Sequence, residues 1–314
     1  MNVSVILPCY NVEKYIERCL NSLVQQTMGD IEIICVDDKS TDKTRDIIQQ
    51  FANADKRIQA IFLDSNHGPG YARNIGMHNA NGKYVSFIDP DDYIDTNFYA
   101  VLFDLAQSQN LDVAKGGFFL TDIANDTEHV SKLNKSIDTN QVLFSGEHHS
   151  AIYRREFLIK NAIEYPTDVV TGEDSVFLSR LATKNKKIAT TDTVFYHYMY
   201  NRPGSLDSAN FSHAKVMAII SVLNYKVAML PTINYDPVFI EQHILLNFIY
   251  IFNKNMERAD DKKLLFDWLV KHRKLFPNDM LMRHYGNRRA RAIQHGNFKR
   301  FVSPKRRFLF LFKI

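Results

Sequence analysis

Three clusters of carboxylates and two loops have the residue types and spacing for chemistry. Asp89-Pro90-Asp91-Asp92 closes an apolar run. Positions two apart on extended chain face one side, so Asp89 and Asp91 present two carboxylates together. They repel unless a cation lies between them. A hard divalent ion, Mn2+ or Mg2+, takes such oxygens and commonly bridges substrate phosphates as well. The alternative is a solvated acidic turn capping the next helix. Asp37 and Asp38 follow a second apolar run and are surplus to helix capping, because Ser40, Thr41 or Asp42 already serves that purpose. They are candidates to accept hydrogen bonds from a nucleobase or ribose. Glu173-Asp174 opens a helical pattern. A carboxylate placed there could take the proton of an attacking hydroxyl, a neutral and therefore poor nucleophile. Acids favoured by a helix dipole are the plain reading of the same pair.

The two loops complete the set. Gly68-Pro69-Gly70 starts a short helix carrying Arg73, so free N–H groups and a guanidinium fork both favour an anion. From His197 to Ser205 a His, Arg202 and Ser205 flank a Pro-Gly hinge and could close over a diphosphate, with His197 as a third candidate metal ligand. Neither G-x-x-x-x-G-K-[ST] nor G-x-G-x-x-G after the first strand is present, which removes the main support for kinase and dinucleotide-binding readings.

Alternating elements must position these groups. Val3 to Leu7, Ile31 to Val36, Ile58 to Leu63 and Tyr84 to Ile88 read as short buried strands. Helical spacing follows each of the first two, with Ile16, Cys19, Leu20 and Leu23 on one face of the first helix. Such alternation predicts an α/β fold, with a mostly parallel sheet flanked by helices and its ligand beyond the carboxyl ends of the strands. Phe98 to Gln107, Tyr153 to Asn161 and Ser175 to Thr183 read as further helices, Leu111 to Leu120 as a strand, and Thr121 to Asn140 as a loop or hairpin. After Gly204 the pattern becomes almost wholly helical. The expected organisation is a catalytic domain over 1–213, a helical region over 214–287 and a tail over 288–314.

Charge is uneven along the chain. The 27 residues from Arg288 hold nine Lys or Arg and no acid, leaving 30 basic against 35 acidic residues in the body. A body of that sign gives no footing for nucleic acid. Cys9, Cys19 and Cys35 are odd in number and form no C-x-x-C, so neither a disulfide framework nor a zinc site is expected. Met1 leads directly into a strand without a signal-peptide pattern, and no stretch reads as a membrane span; the expected location is cytoplasmic.

Taken in order, Val3-Ser4-Val5-Ile6-Leu7-Pro8-Cys9-Tyr10-Asn11, Val36-Asp37-Asp38, Ala72-Arg73-Asn74-Ile75-Gly76, Phe87-Ile88-Asp89-Pro90-Asp91-Asp92 and Gly172-Glu173-Asp174 resemble glycosyltransferase family 2, whose catalytic domain has the GT-A fold. The resemblance spans roughly residues 1 to 205. It implies an inverting transferase that moves a sugar from a nucleotide-diphosphate donor, UDP by the acid at Asp38, to a hydroxyl of a glycan or lipid-linked acceptor. It further implies that Pro8, Tyr10 and Asn11 line the base and ribose pocket, with Asp37 beside Asp38. Arg73 resembles a donor-site arginine, Asp89 and Asp91 a D-x-D pair with Asp91 the direct metal ligand, and Asp174 the general base. Arg202 and Ser205 resemble phosphate contacts. Lys39 departs from the family pattern, which has Gly there.

Two other functions compete with this reading. A nucleotidyltransferase would want a Gly-rich, basic loop where Pro8 to Asn11 stand. A non-catalytic nucleotide-sugar-binding module would lack the acids at 89, 91 or 174. The tail alternates Lys299, Arg300 and Lys305 to Arg307 with Phe298, Phe301 and Phe308 to Phe312. That combination suits an anionic membrane surface, placing the protein peripherally on its inner face. A tail folded back on the body, or one whose aromatic residues stack on nucleic-acid bases, is the alternative.

Overall fold

The computed structural model describes residues 1–122, 127–131, 148–169, 171–200, 212–232, 237–253 and 258–302. They form two compact units, Met1–Ala209 and Asn210–Ile314.

The first unit is built on one sheet in the order β3-β2-β1-β4-β8-β6-β9-β5, with β7 paired to β6. β1 (Val3–Cys9) and β2 (Ile31–Asp37) are buried at every position, as continuous apolar runs require when helices cover both faces. With β3 (Ile58–Phe62) and β4 (Tyr84–Phe87) they make a parallel block. β4 stops opposite Ile6, so Pro8 can extend β1 without leaving a ladder bond unmade on that side. Cys9 then lies opposite Asp37. The Asp37-Asp38 turn and the Asp89 turn thus leave the same edge of the sheet.

α1 (Ile16–Val24), α2 (Thr44–Ala54) and α3 (Pro69–Asn79) link these strands. A side chain at Gly76 would overlap Ile6, so α3 lies directly on β1. That close approach is what carries Arg73 to the strand ends.

Beyond β4 the sheet becomes mixed. β5 (Tyr93–Ile94) leads to α4 (Phe98–Ser108) and β6 (Val113–Asp122), and β7 (Thr127–Ser131) returns on β6 as a hairpin. Tyr153 and Arg154, expected to begin a helix, instead end β8 (Ala151–Arg154), antiparallel to β4 and β6; only Arg155–Lys160 is helical (α5). The run Ala151-Ile152-Tyr153 is short and wholly buried, a pattern that periodicity cannot distinguish from a buried helix. α6 (Glu173–Ala182) follows. The segment expected to be a polar loop from His197 belongs, up to Tyr200, to the long strand β9 (Ile188–Tyr200), parallel to β6 and antiparallel to β5.

The second unit is helical. It contains α7 (His213–Met229) and α8, which runs from Pro237–Ile240 through a π turn (Glu241–Leu245) to Leu246–Phe252. α9 (Ala259–Lys271), α10 (Asn278–Gln294) and α11 (Phe298–Val302) follow. The boundary expected between 287 and 288 falls inside α10, just past a break at Gly286, whose φ is 71°. Phe301, expected to face a membrane, is buried, with Phe252, Phe266 and Tyr285 as ring neighbours. Lys305 to Arg307 and Phe308 to Phe312 lie outside the described residues. Among the described residues no helix is long and apolar enough to cross a membrane.

Candidate active site

The site forms where β1, β2 and β4 end. After β1 the chain turns at Asn11, which adopts a left-handed φ of 51° that Asn tolerates better than most residues. Asn11 Oδ1 accepts from the Thr41 amide at 2.8 Å, and Ser40 Oγ accepts from the Asn11 amide at 3.0 Å. These bonds stitch the β1 turn to the β2 turn. Tyr10 stands at that turn with 48% of its surface exposed, whereas Pro8 is buried in the strand.

The two acids of the β2 turn are engaged by the protein. Asp37 is fully buried and accepts from Arg45 Nε at 2.5 Å and the Ser40 amide at 3.1 Å. It therefore ties α2 to the end of the strand, beside Asp38. Asp38 accepts from the His67 amide at 2.8 Å and the Gly68 amide at 2.7 Å. Its carboxylate shapes the turn into α3, where Gly68 has a φ of 88°. A carboxylate has about four acceptor positions, so Asp38 retains capacity for a donor on a base. Lys39, where the family pattern has Gly, keeps the glycine-like turn with a φ of 64° and donates from Nζ to the Asp64 carbonyl at 2.6 Å.

Arg73 is the hub of the site. It is buried on α3 and donates from Nη2 to Asp89 at 2.8 Å and from Nη1 to Glu173 at 2.7 Å, with its guanidinium 5.2 Å from the centre of the Tyr165 ring. α3 also fixes the approach to α6. Asn74 Nδ2 donates to the Tyr165 carbonyl, Asn74 Oδ1 accepts from the Tyr165 amide, both at 2.9 Å, and a Cβ on Gly70 would meet the Pro166 carbonyl at 2.5 Å. One helix thus sets the positions of both acidic clusters. Burial opposes ionisation of Asp89, but the Arg73 guanidinium outweighs it and holds this carboxyl well below the usual carboxylate range.

The acidic turn is anchored from α1 and β9. Arg18 Nη2 donates to the Asp91 carbonyl at 2.8 Å. Asp92 accepts from the Tyr196 hydroxyl at 2.5 Å and the Met199 amide at 2.8 Å. Burial, then the charges of Asp91 and Asp89, push the Asp92 carboxyl well up. Negative charge is therefore in excess at this turn, which suits a cation. Among the described residues no three His, Cys, Asp or Glu side chains are grouped to hold a metal. Asp91 with the phosphates of a ligand would suffice for magnesium or manganese, which often rely on one or two carboxylates. His197, expected as a metal ligand, is engaged by Asp95 and two aromatic rings. Its Nε2 lies 2.9 Å from Asp95 Oδ1, and its ring stacks on Tyr93 at 4.3 Å and Phe119 at 5.1 Å. Arg202 and Ser205 lie outside the described residues.

Glu173 and Asp174 differ sharply despite being adjacent. Glu173, expected to be catalytic, is buried and accepts from Arg73 Nη1. Asp174 accepts the Ser175 amide at 2.6 Å and keeps 36% of its side chain exposed. Desolvation by its surroundings, then the Glu173 charge, push its carboxyl up to about 7. An accessible carboxylate in that range is suited to accept a proton near neutrality.

Sequence reasoning missed His148 and His149, which precede β8 and are buried beside these acids. His148 Nδ1 lies 3.9 Å from Asp174 Oδ2. Burial lowers the pKa of both rings, that of His149 to about 4. The doublet before an apolar run was the only available signal.

Residues 4–171 match the family model "Glycosyl transferase family 2". The chain belongs to this family. EpsJ of Bacillus subtilis, a glycosyltransferase, is 33% identical over 228 residues, covering 68% of this chain and 64% of that protein. The poly(ribitol-phosphate) beta-glucosyltransferase of Bacillus spizizenii is 33% identical over 210 residues, covering 65% of this chain and 33% of its own. The matched region thus spans between a third and about two thirds of these relatives. A fragment of S. aureus TarS, crystallised with UDP-GlcNAc, superposes with a TM-score of 0.78 at 20% identity, covering 96% of this chain and 89% of that one. This likeness shows that the family-2 chain has the GT-A fold, with a helical C-terminal region.

Proposed function

We propose that this family-2 protein transfers a sugar from a UDP-linked donor to a hydroxyl of a glycan or polyol-phosphate acceptor, with inversion and with the help of a divalent metal. The carrying observation is Asp174, which keeps 36% of its side chain exposed next to Glu173 and within reach of the Arg73 and Asp89 charges, with burial raising its carboxyl to about 7. UDP as the nucleotude carrier is supported by the TarS complex, and a phosphate-bearing acceptor by the name of the Bacillus spizizenii relative.

Each step falls to a named group. The exposed ring of Tyr10 and the remaining acceptor capacity of Asp38 suit the base. Arg73 fixes the Asp89 carboxylate, and Asp91 would hold the metal, Mn2+ or Mg2+, against the diphosphate. When bound, the metal would offset the charge that develops on the departing UDP. The acceptor oxygen forms its bond to the anomeric carbon as the bond to the β-phosphate oxygen breaks. UDP leaves with that electron pair, and Asp174 takes the acceptor proton. The Lys305 to Phe312 tail is assigned to an anionic membrane surface, by charge and composition alone.

Calorimetric titration of UDP with and without Mn2+ tests this reading. We expect binding that is strengthened by Mn2+ and loses that dependence in Asp91→Ala, with the melting temperature retained. Absence of UDP binding under both conditions would refute the donor assignment.

A further inference from the structure

Among the described residues, six buried polar atoms without a hydrogen-bond partner belong to one cluster. They are both ring nitrogens of His148 and of His149, the Tyr165 hydroxyl and Arg73 Nε. The rings adjoin one another: His148 lies 5.3 Å from His149 and 5.7 Å from Tyr165, centre to centre. Leaving such atoms unpaired is costly, and native interiors rarely tolerate it without a functional reason. Packing fixes the rings in place. His149 lies 4.2 Å from the Tyr196 ring and is parallel to Tyr198 within 4° at 5.5 Å, while His148 lies 6.2 Å from Phe87. These groups are thus held in fixed positions with donors and acceptors uncommitted within the protein.

Location identifies the occupant. In a direct displacement the acceptor oxygen, the anomeric carbon and the leaving oxygen lie in line. Asp174 marks the acceptor end and the acidic turn marks the leaving-group end. His148 borders Asp174, and the charges of Asp89 and Arg73 act on both histidines. The cluster is therefore beside the transferred sugar. A neutral imidazole donates from one nitrogen and accepts at the other, as a sugar hydroxyl also does. The Arg73 charge is already met by two carboxylates, Asp89 and Glu173, so it gives no electrostatic preference for a further carboxylate on the sugar.

The geometry points to His148 and His149 as the groups that recognise the transferred sugar, a neutral hexose or N-acetylhexosamine, through its hydroxyl or acetamido groups. This inference rests on the UDP-donor reading above.

The test compares UDP with UDP-glucose and UDP-GlcNAc by calorimetry, using the full chain and the variants His148→Phe and His149→Phe. The Leu variants at both positions guard against overpacking. We expect UDP affinity to stay within about twofold, while affinity for the sugar nucleotide preferred by the wild type falls about tenfold relative to UDP. Melting temperatures should be equal or higher, because buried polar atoms without partners have been removed. Unchanged sugar-nucleotide affinity in all four variants would overturn the inference. So would a joint loss of UDP affinity and melting temperature in both the Phe and the Leu series, which would make the histidines structural. A wild type that binds no UDP would instead overturn the donor reading, and this inference with it.

Discussion

Asp174→Asn separates chemistry from stability in one substitution. The amide keeps the size and shape of the carboxyl but cannot take the acceptor proton. Removing a general base typically lowers the rate by 10²–10⁴-fold, about 3–5 kcal/mol in the barrier. Because burial and then Glu173 raise the Asp174 carboxyl to about 7, wild-type kcat/KM should rise through pH 7 and level off above it. The variant should lack that rise. Stability should change in the opposite direction. A carboxyl raised in the folded state contributes stability below its unfolded value near 3.9, and that contribution is lost as pH rises through about 7. Asn mimics the protonated form at every pH. Full conversion of the shift would correspond to about 4 kcal/mol. With 36% of the side chain exposed, solvent screening reduces this to roughly 1 kcal/mol. UDP release measured from pH 5.5 to 8.5, with urea unfolding at pH 5 and pH 8, checks both parts. Transfer within fivefold of the wild type, or a variant less stable than the wild type at pH 8, would refute the reasoning.

Further expectations follow from individual contacts. Arg73→Met should destabilise the protein by about 3 kcal/mol, the low end for a broken buried ion pair because Asp89 remains 26% exposed. Adding Glu173→Gln should recover about 1 kcal/mol of that loss in denaturant unfolding, since it removes the carboxylate left buried. Lys39→Gly should stabilise by up to about 1 kcal/mol, because relief of a left-handed φ exceeds the added entropy of glycine in the unfolded chain. A loss of more than about 1 kcal/mol in the same measurement would show that the Lys39–Asp64 bond dominates.

Much of the first hundred residues was legible because its signals are local. Unbroken apolar runs mark strands covered on both faces, and β1 to β4 fall within a residue or two of the expected limits. The later elements were less legible. β8 is too short for its periodicity to be diagnostic, and the end of β9 from His197 runs into Asn201-Arg202-Pro203-Gly204 and reads with it as a loop. The acids were found because surplus carboxylates at strand ends stand out, but their partners were not. Asp37 and Glu173 are both absorbed by arginines, and His197 is claimed by Asp95.

The sequence by itself determined the α/β alternation, the edge of the sheet where a ligand would lie and the family to which the chain belongs. Each of these depends on the types and spacing of residues close together in the chain. Tertiary structure alone decided which charge meets which. Arg73 joins Asp89 and Glu173, 16 and 100 residues away, because glycines at 70 and 76 let α3 approach Pro166 and β1. It also decided that Asp174 stays partly exposed while its neighbour is buried, and that His148, without a hydrogen bond of its own, lies 3.9 Å from it. Periodicity assigns a residue to a face. Only the packing of distant elements removes water from a carboxylate or supplies its counter-charge, and those two effects set its chemistry.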